Sequence, residues 1–222
     1  MMVELEKKIG HTFENPGLLI TALTHTSFAN ESRNGTIHNE RLEFLGDSVL
    51  SVVVSEYLFS HNKKLPEGEL TRIRAGLVCE QSLYEFAKKI DLGKYLRLGH
   101  GEDRSGGRNR PAILADAFEA VIAALYLDGG LDTAKNFILP FVAETHRDNE
   151  DYKTRLQEVI QQNPEERLRY VVAEESGPDH DKSFTVEVHL NSNVIGTGTG
   201  HSKKQAEQHA AHEALRLMGL EK

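Results

Sequence analysis

The feature that most constrains this chain is a change of hydrophobic period close to residue 150. Up to about Glu144, apolar residues recur every three or four positions in segment after segment, among them "NPGLLITALTH", "NERLEFLGDSVLSVVVSEYLFS" and "RPAILADAFEAVIAALYLDGG". That spacing specifies amphipathic helices. Beyond it, "KSFTVEVHL" alternates, putting Phe184, Val186, Val188 and Leu190 on one face of a strand. "RYVVAEES" and "NVIGTGTG" read as its neighbours, and "LNSNV" as a tight turn. A helix, "DYKTRLQEVIQQ", precedes the three strands. Another, "SKKQAEQHAAHEALRLM", follows them with Ala206, Ala210, Ala214 and Leu217 as its buried side. Between the two periods, "HRDNEDYK" is almost wholly polar and reads as a connector. The expected architecture is multi-domain: an all-α domain over residues 1–147, a linker at 148–152, and a small α+β domain of order α-β-β-β-α over 153–222.

Within the helical part, "DGG" after Leu127 is a stop signal and Pro111 suits a first helical turn. "GEDRSGGRNR", residues 101–110, reads as a polar, mobile loop. The single cysteine, Cys79, excludes an internal disulfide and, among apolar neighbours, reads as a buried structural thiol. No apolar run approaches the roughly 20 residues that span a bilayer, and the start lacks a signal-peptide pattern. A cytoplasmic protein with no membrane partner is therefore expected.

"NERLEFLGDSVL" places its residues unusually. At about 100° per residue, Leu42, Leu45, Val49 and Val53 share one side of a helix, while Glu40, Glu43 and Asp47 gather opposite within roughly 60°. Phe44 sits beside the acids. In "RPAILADAFEAVIAALYL", Leu114, Phe118, Val121 and Leu125 form the apolar stripe, and Asp116 and Glu119 point away from it among alanines. Acids opposite an apolar stripe are ordinarily just solvated. Here they lack the usual i,i+4 lysines, and their alanine neighbours permit close helix packing. Carboxylates drawn together repel unless a cation neutralises them. Hard oxygen donors without cysteine pairs favour Mg²⁺, with Mn²⁺ as a substitute, over zinc. Such ions suit phosphodiester displacement. They would also reconcile an acidic chain with a polyanionic partner, for the net charge is −8, with 17 Lys and Arg against 22 Asp and Glu in residues 1–150.

"NERLEFLGDSVL" resembles the signature of the ribonuclease III family of double-stranded-RNA endonucleases, and "LTHTSFANE", "EGELTRIRAGLV" and "ILADAFEAVIAALYLDGG" resemble its other blocks. The resemblance spans the whole chain in order. It implies metal ligands at Glu43, Asp47, Asp116 and Glu119, with Asp47 and Glu119 the catalytic pair, and lesser acidic positions at Glu40 and Glu67. It further implies a homodimer in which Phe44 packs into the other subunit. The products would be 5′-phosphate and 3′-hydroxyl ends with short 3′ overhangs, in the processing of ribosomal and other structured RNAs. A non-cleaving regulator or chaperone that binds the same RNA is the competing class.

The α-β-β-β-α region resembles a double-stranded RNA-binding domain. There Thr154, Gln157, Glu158 and Gln161 form the polar face of the first helix, suited to the minor groove and its 2′-hydroxyls. His180 lies in the loop "GPDHDKS", and Lys203 and Lys204 open the last helix, where charge and amides favour phosphate. "GTGTG" lacks the βαβ context of a dinucleotide site, so no small-molecule cofactor is expected. His25 in "LTHTSF" reads as a structural hydrogen-bonding residue rather than a catalytic base.

Overall fold

The computed structural model describes residues 2–32, 35–63, 65–148, 152–161, 165–178 and 182–220. It divides into two compact units, Met1–Ala143 and Glu144–Lys222. The expected linker at 148–152 falls mostly on residues 149–151, outside the described set.

The first unit is helical: α1 (Met2–Ile9), α2 (Pro16–Ala22), α3 (Thr26–Glu31), α4 (Glu40–His61), α5 (Glu67–Leu77), α6 (Glu80–Lys89), α7 (His100–Arg104) and α8 (Pro111–Asp148), the last crossing into the second unit. Local chemistry sets the ends. Asn15 caps α2 by accepting the Gly17 N–H, and Pro16 takes the first helical position, where its missing donor costs nothing. His25 caps α3 through Nδ1, which accepts the Ser27 N–H at 3.2 Å. The α8 helix breaks at Gly130 (φ 79°, ψ −177°), a positive-φ conformation that glycine tolerates, at the last residue of the expected "DGG" stop. The core forms where the apolar stripes of α4 and α8 meet: Leu50, Val53, Val54 and Leu58 with Phe118, Val121, Ile122 and Leu125, all 0–1% exposed. Phe86, Phe118, Phe137 and Phe141 add a ring cluster with centroids 5.2–5.8 Å apart.

Three expectations need correction. Residues 101–110 are not an open loop: α7 and a 3₁₀ turn (Gly107–Asn109) occupy them. Arg108 pairs with Asp103 and donates to the Gly93 and Leu96 carbonyls, and Arg110 pairs with Glu102. Cys79 is exposed, not buried; it opens α6 with Sγ 3.3 Å from the Gly76 carbonyl. Leu217 is 67% exposed, and Ala211 and Leu215 complete the buried side of the last helix instead.

The second unit comprises α9 (Tyr152–Ile160), β1 (Leu168–Ser176), β2 (Ser183–Leu190), β3 (Asn193–Gly200) and α10 (Lys203–Leu217). The sheet is antiparallel in the order β1-β2-β3. Phe184, Val186 and Val188 are buried, as the alternation requires, with Leu156 and Ile160 of α9 and the alanines of α10. The β2–β3 turn uses Asn191 at φ 56°, a conformation that asparagine tolerates. The "GTGTG" run has a packing role. A Cβ on Gly198 would stand 2.2 Å from Ala210 N, and one on Gly196 would stand 2.5 Å from Ala210 O. Bare glycine backbone lets α10 lie directly on β3. Ser202 caps α10, accepting the Gln205 N–H, and the helix closes at Gly219 with Gly219 N–H to Arg216 O and Leu220 N–H to Leu215 O, a Schellman motif.

Candidate active site and RNA-binding face

Gly46 brings the two acid-bearing helices together. It is buried in α4, and a Cβ there would lie 1.9 Å from the Glu119 carbonyl oxygen and 2.5 Å from its carbonyl carbon. The backbones of α4 and α8 therefore touch at Gly46 and Glu119. The crossing places Glu43, three residues before Gly46, beside Asp116, three residues before Glu119. Glu43, Asp116 and Glu119 each offer a carboxylate oxygen within 4.8 Å of the others, and all three are half-buried.

The electrostatics match this crowding. Burial, followed by the charges of Asp47, Glu43 and Asp116, pushes the Glu119 carboxyl up to about 8. Glu43 is raised by burial and by Asp116, Glu40 and Asp47. Asp116 is raised by burial, Glu80 and Glu40, with His25 opposing. Three acids that resist ionising together, with oxygen donors converging on one point, are the donor set that a hard divalent cation stabilises.

The sequence-derived acids divide accordingly. Glu43, Asp116 and Glu119 converge. Asp47 is exposed and stands outside the three-residue group, although its charge is the largest acting on Glu119. Glu40 opens α4 at the margin, its carboxylate 3.8 Å from His38 Nδ1. Glu67 lies apart in this single chain: it accepts the Thr71 hydroxyl at 2.8 Å and lines a different concavity. His25 is structural in its contacts, as expected, although its charge reaches Asp116. Sequence reasoning missed Gly46 and Glu80. An isolated glycine inside a helical apolar pattern costs about 1 kcal/mol against alanine and asks for a packing reason, so Gly46 carried a signal. Glu80 carried none, because only the tertiary fold places it near Asp116.

A second feature occupies another face of α4. Phe44 and Phe59 are 78% and 75% exposed, and Val52 is 56% exposed. Beside them, α4 and α5 form an open cavity of about 460 Å³ lined by Ser55, Glu56, Leu58, Phe59, Glu67, Leu70, Thr71 and Arg74.

In the second unit, Thr154, Gln157, Glu158 and Gln161 are exposed together along α9 and its C-terminal end. Lys203 and Lys204 are exposed at the start of α10, with Lys203 Nζ 5.6 Å from the Phe184 ring centre. His180 lies outside the described residues. Among the described residues, no helix is long and apolar enough to cross a membrane.

The comparisons agree with both units. A family model described as ribonuclease-III-like matches residues 15–145, and one for the double-stranded RNA binding motif matches residues 152–218. Ribonuclease 3 of Caldanaerobacter subterraneus subsp. tengcongensis is 50% identical over 226 residues, covering 99% of this chain and 99% of the relative. Ribonuclease 3 of Clostridium perfringens is 50% identical over 224 residues, covering 98% and 94%. A solved ribonuclease III nuclease domain from Campylobacter jejuni, described for structural flexibility in a region involved in dimer formation, superposes with a TM-score of 0.61 at 41% identity. It covers 65% of this chain and 97% of that one. Its helical nuclease unit, its α-β-β-β-α unit and its relatives over nearly the whole length agree: the chain belongs to the ribonuclease III family.

Proposed function

We propose that the chain is a cytoplasmic, homodimeric endoribonuclease that hydrolyses both strands of double-stranded RNA and requires Mg²⁺, with Mn²⁺ as a substitute. The observation that carries this reading is the convergence of Glu43, Asp116 and Glu119 at the Gly46 crossing. These three, with Asp47 at the rim, would hold the ion. A bound divalent cation supplies an activated water and neutralises charge on the scissile phosphate. The chain's own residues fix where this happens. Glu119 is anchored at the helix crossing, and the alanines around it exclude bulk water from that side. Thr154, Gln157, Glu158 and Gln161 of the second unit read the minor groove, and Lys203 and Lys204 hold phosphates. His180 is proposed to enter a second minor groove.

The dimer is proposed to form about α4, with the Phe44 side chain of each subunit filling the α4–α5 cavity of the other. This also accounts for Glu67. A pocket wall that receives the partner's Phe44 stands next to the partner's Glu43, so Glu67 joins an acidic cluster across the interface rather than its own. Two sites related by a two-fold axis cut opposite strands. The products are 5′-phosphate and 3′-hydroxyl ends with short 3′ overhangs, from precursors of ribosomal and other structured RNAs. A non-cleaving RNA-binding regulator would have no use for half-buried acids held together against their repulsion.

Glu119→Ala tests the site. Incubated with long duplex RNA in Mg²⁺, the variant is expected to lose cleavage by a factor of at least about 10³ on a denaturing gel, while a gel shift in Ca²⁺ is unchanged. Cleavage at the wild-type rate would remove Glu119 from the mechanism.

A further inference from the structure

Arg74 is a pocket residue whose placement the single chain does not explain. It lies in the last turn of α5, half-buried, and its Nη1 donates to Ser55 Oγ at 2.9 Å. Among the described residues, no carboxylate is close enough to form an ion pair with it. The two acids of the same cavity are engaged elsewhere: Glu56 with Lys135 at 2.7 Å, and Glu67 with the Thr71 hydroxyl. A guanidinium drawn partly out of water, with one of its five donors engaged, leaves desolvation uncompensated. Its flat face suits an aromatic ring. Leu58, Phe59 and Leu70 supply the apolar part of the wall.

We infer that Arg74 is the interface cation of the dimer: the partner's Phe44 enters the α4–α5 cavity with its ring face against the guanidinium that Ser55 holds in place. This rests on the two-fold association proposed above and adds the residue that recognises the ring. Helix geometry allows it. On α4, Phe44, Ser48, Val52, Ser55 and Phe59 fall within an arc of roughly 80°. Two such helices laid antiparallel about a point midway between Phe44 and Phe59, beside Ser51 and Val52, bring each Phe44 opposite the partner's Ser55–Phe59 stretch. That stretch is the cavity wall. Ser48, Ser51 and Ser55 are small enough for the helices to approach closely. A phosphate is the other ligand class for a lone arginine. Glu56 and Glu67 line the same cavity and repel it, so the ring is the better occupant.

Sedimentation equilibrium of the full chain tests this with a double-mutant cycle. Phe44→Leu keeps apolar bulk and removes the π face, and Arg74→Met keeps length and removes charge. Each is expected to weaken the dimer roughly ten-fold or more, since the contact occurs twice per interface. In the Phe44→Leu background, Arg74→Met is expected to change the Kd less than about two-fold. Arg74→Lys, which keeps charge without the planar face, should fall between, and it carries the test should Arg74→Met fail to fold. A Kd insensitive to Arg74, or equal costs in both backgrounds, overturns the inference and leaves the dimer intact. A wild-type chain that stays monomeric at every concentration overturns the dimer reading and this one with it. An Arg74→Met dimer of normal Kd with weakened RNA binding assigns Arg74 to the RNA backbone instead.

Discussion

Glu119 carries the sharpest consequence at the scale of single residues. Its carboxyl is raised from 4.5 to about 8 in the folded chain because burial and three neighbouring acids oppose its charge. Below pH 4.5 the group is protonated whether the chain is folded or not. As pH rises from 4.5 to about 8, the unfolded chain ionises while the folded one keeps its proton, so stability declines across that window. In EDTA, the melting temperature of the wild type is therefore expected to fall from pH 5 to pH 8 more steeply than that of Glu119→Gln. Millimolar Mg²⁺ should reverse the order, because a cation favours the ionised form. Equal slopes in EDTA would contradict the crowding. Gly46 offers a second test. Gly46→Ala puts a methyl into the Glu119 carbonyl, and overpacking of this kind costs about 1–3 kcal/mol. Since a misplacement of about 1 Å can cost roughly 10²-fold in rate, cleavage is expected to fall by about that factor even where the variant remains folded.

Among elements, those with a strong internal period were legible and those fixed by distant partners were not. The stripe of Leu42, Val49 and Val53 on α4 and the alternation of Phe184, Val186 and Val188 on β2 announce themselves because burial selects one face. The 101–110 segment did not, because its order comes from Arg108 reaching the Gly93 and Leu96 carbonyls, which no local pattern encodes. Leu217 lies on the correct angular face of α10 but too far along it. The alanines of α10 meet β3 from Gly200 to Gly196, and Val194, nearer the start of that strand, is itself 50% exposed. Among the acids, the two helices were legible, whereas the place of Asp47 outside the tight group depends on the crossing, and that of Glu80 near Asp116 on the packing of α6. The "GTGTG" strand yields its own prediction. Gly198→Ala is expected to destabilise the second unit by about 1–3 kcal/mol in urea melts and to weaken RNA binding in parallel. Cleavage at saturating enzyme should persist, since the nuclease unit holds its own core.

At the scale of the molecule, catalysis and grip reside in separate compact units, and both are acidic overall. Attraction to RNA must then come from a few placed cations and from bound metal rather than from a general field. Lys203→Ala and Lys204→Ala are each expected to lower the slope of log binding constant against log salt by roughly one, equally for all duplex sequences. A slope unchanged in both variants would move the phosphate contacts elsewhere.

The Gly46–Glu119 crossing limits how the enzyme can vary. Where two main chains touch, trimming a neighbouring side chain creates no space, so an intruding methyl can be relieved only by sliding or tilting a whole helix. Compensating changes for a lesion at Gly46 should therefore arise far away, along the packed faces of α4 and α8. Each would shift the carboxylates as it restored the fold, and revertants would recover thermal resistance before they recovered turnover.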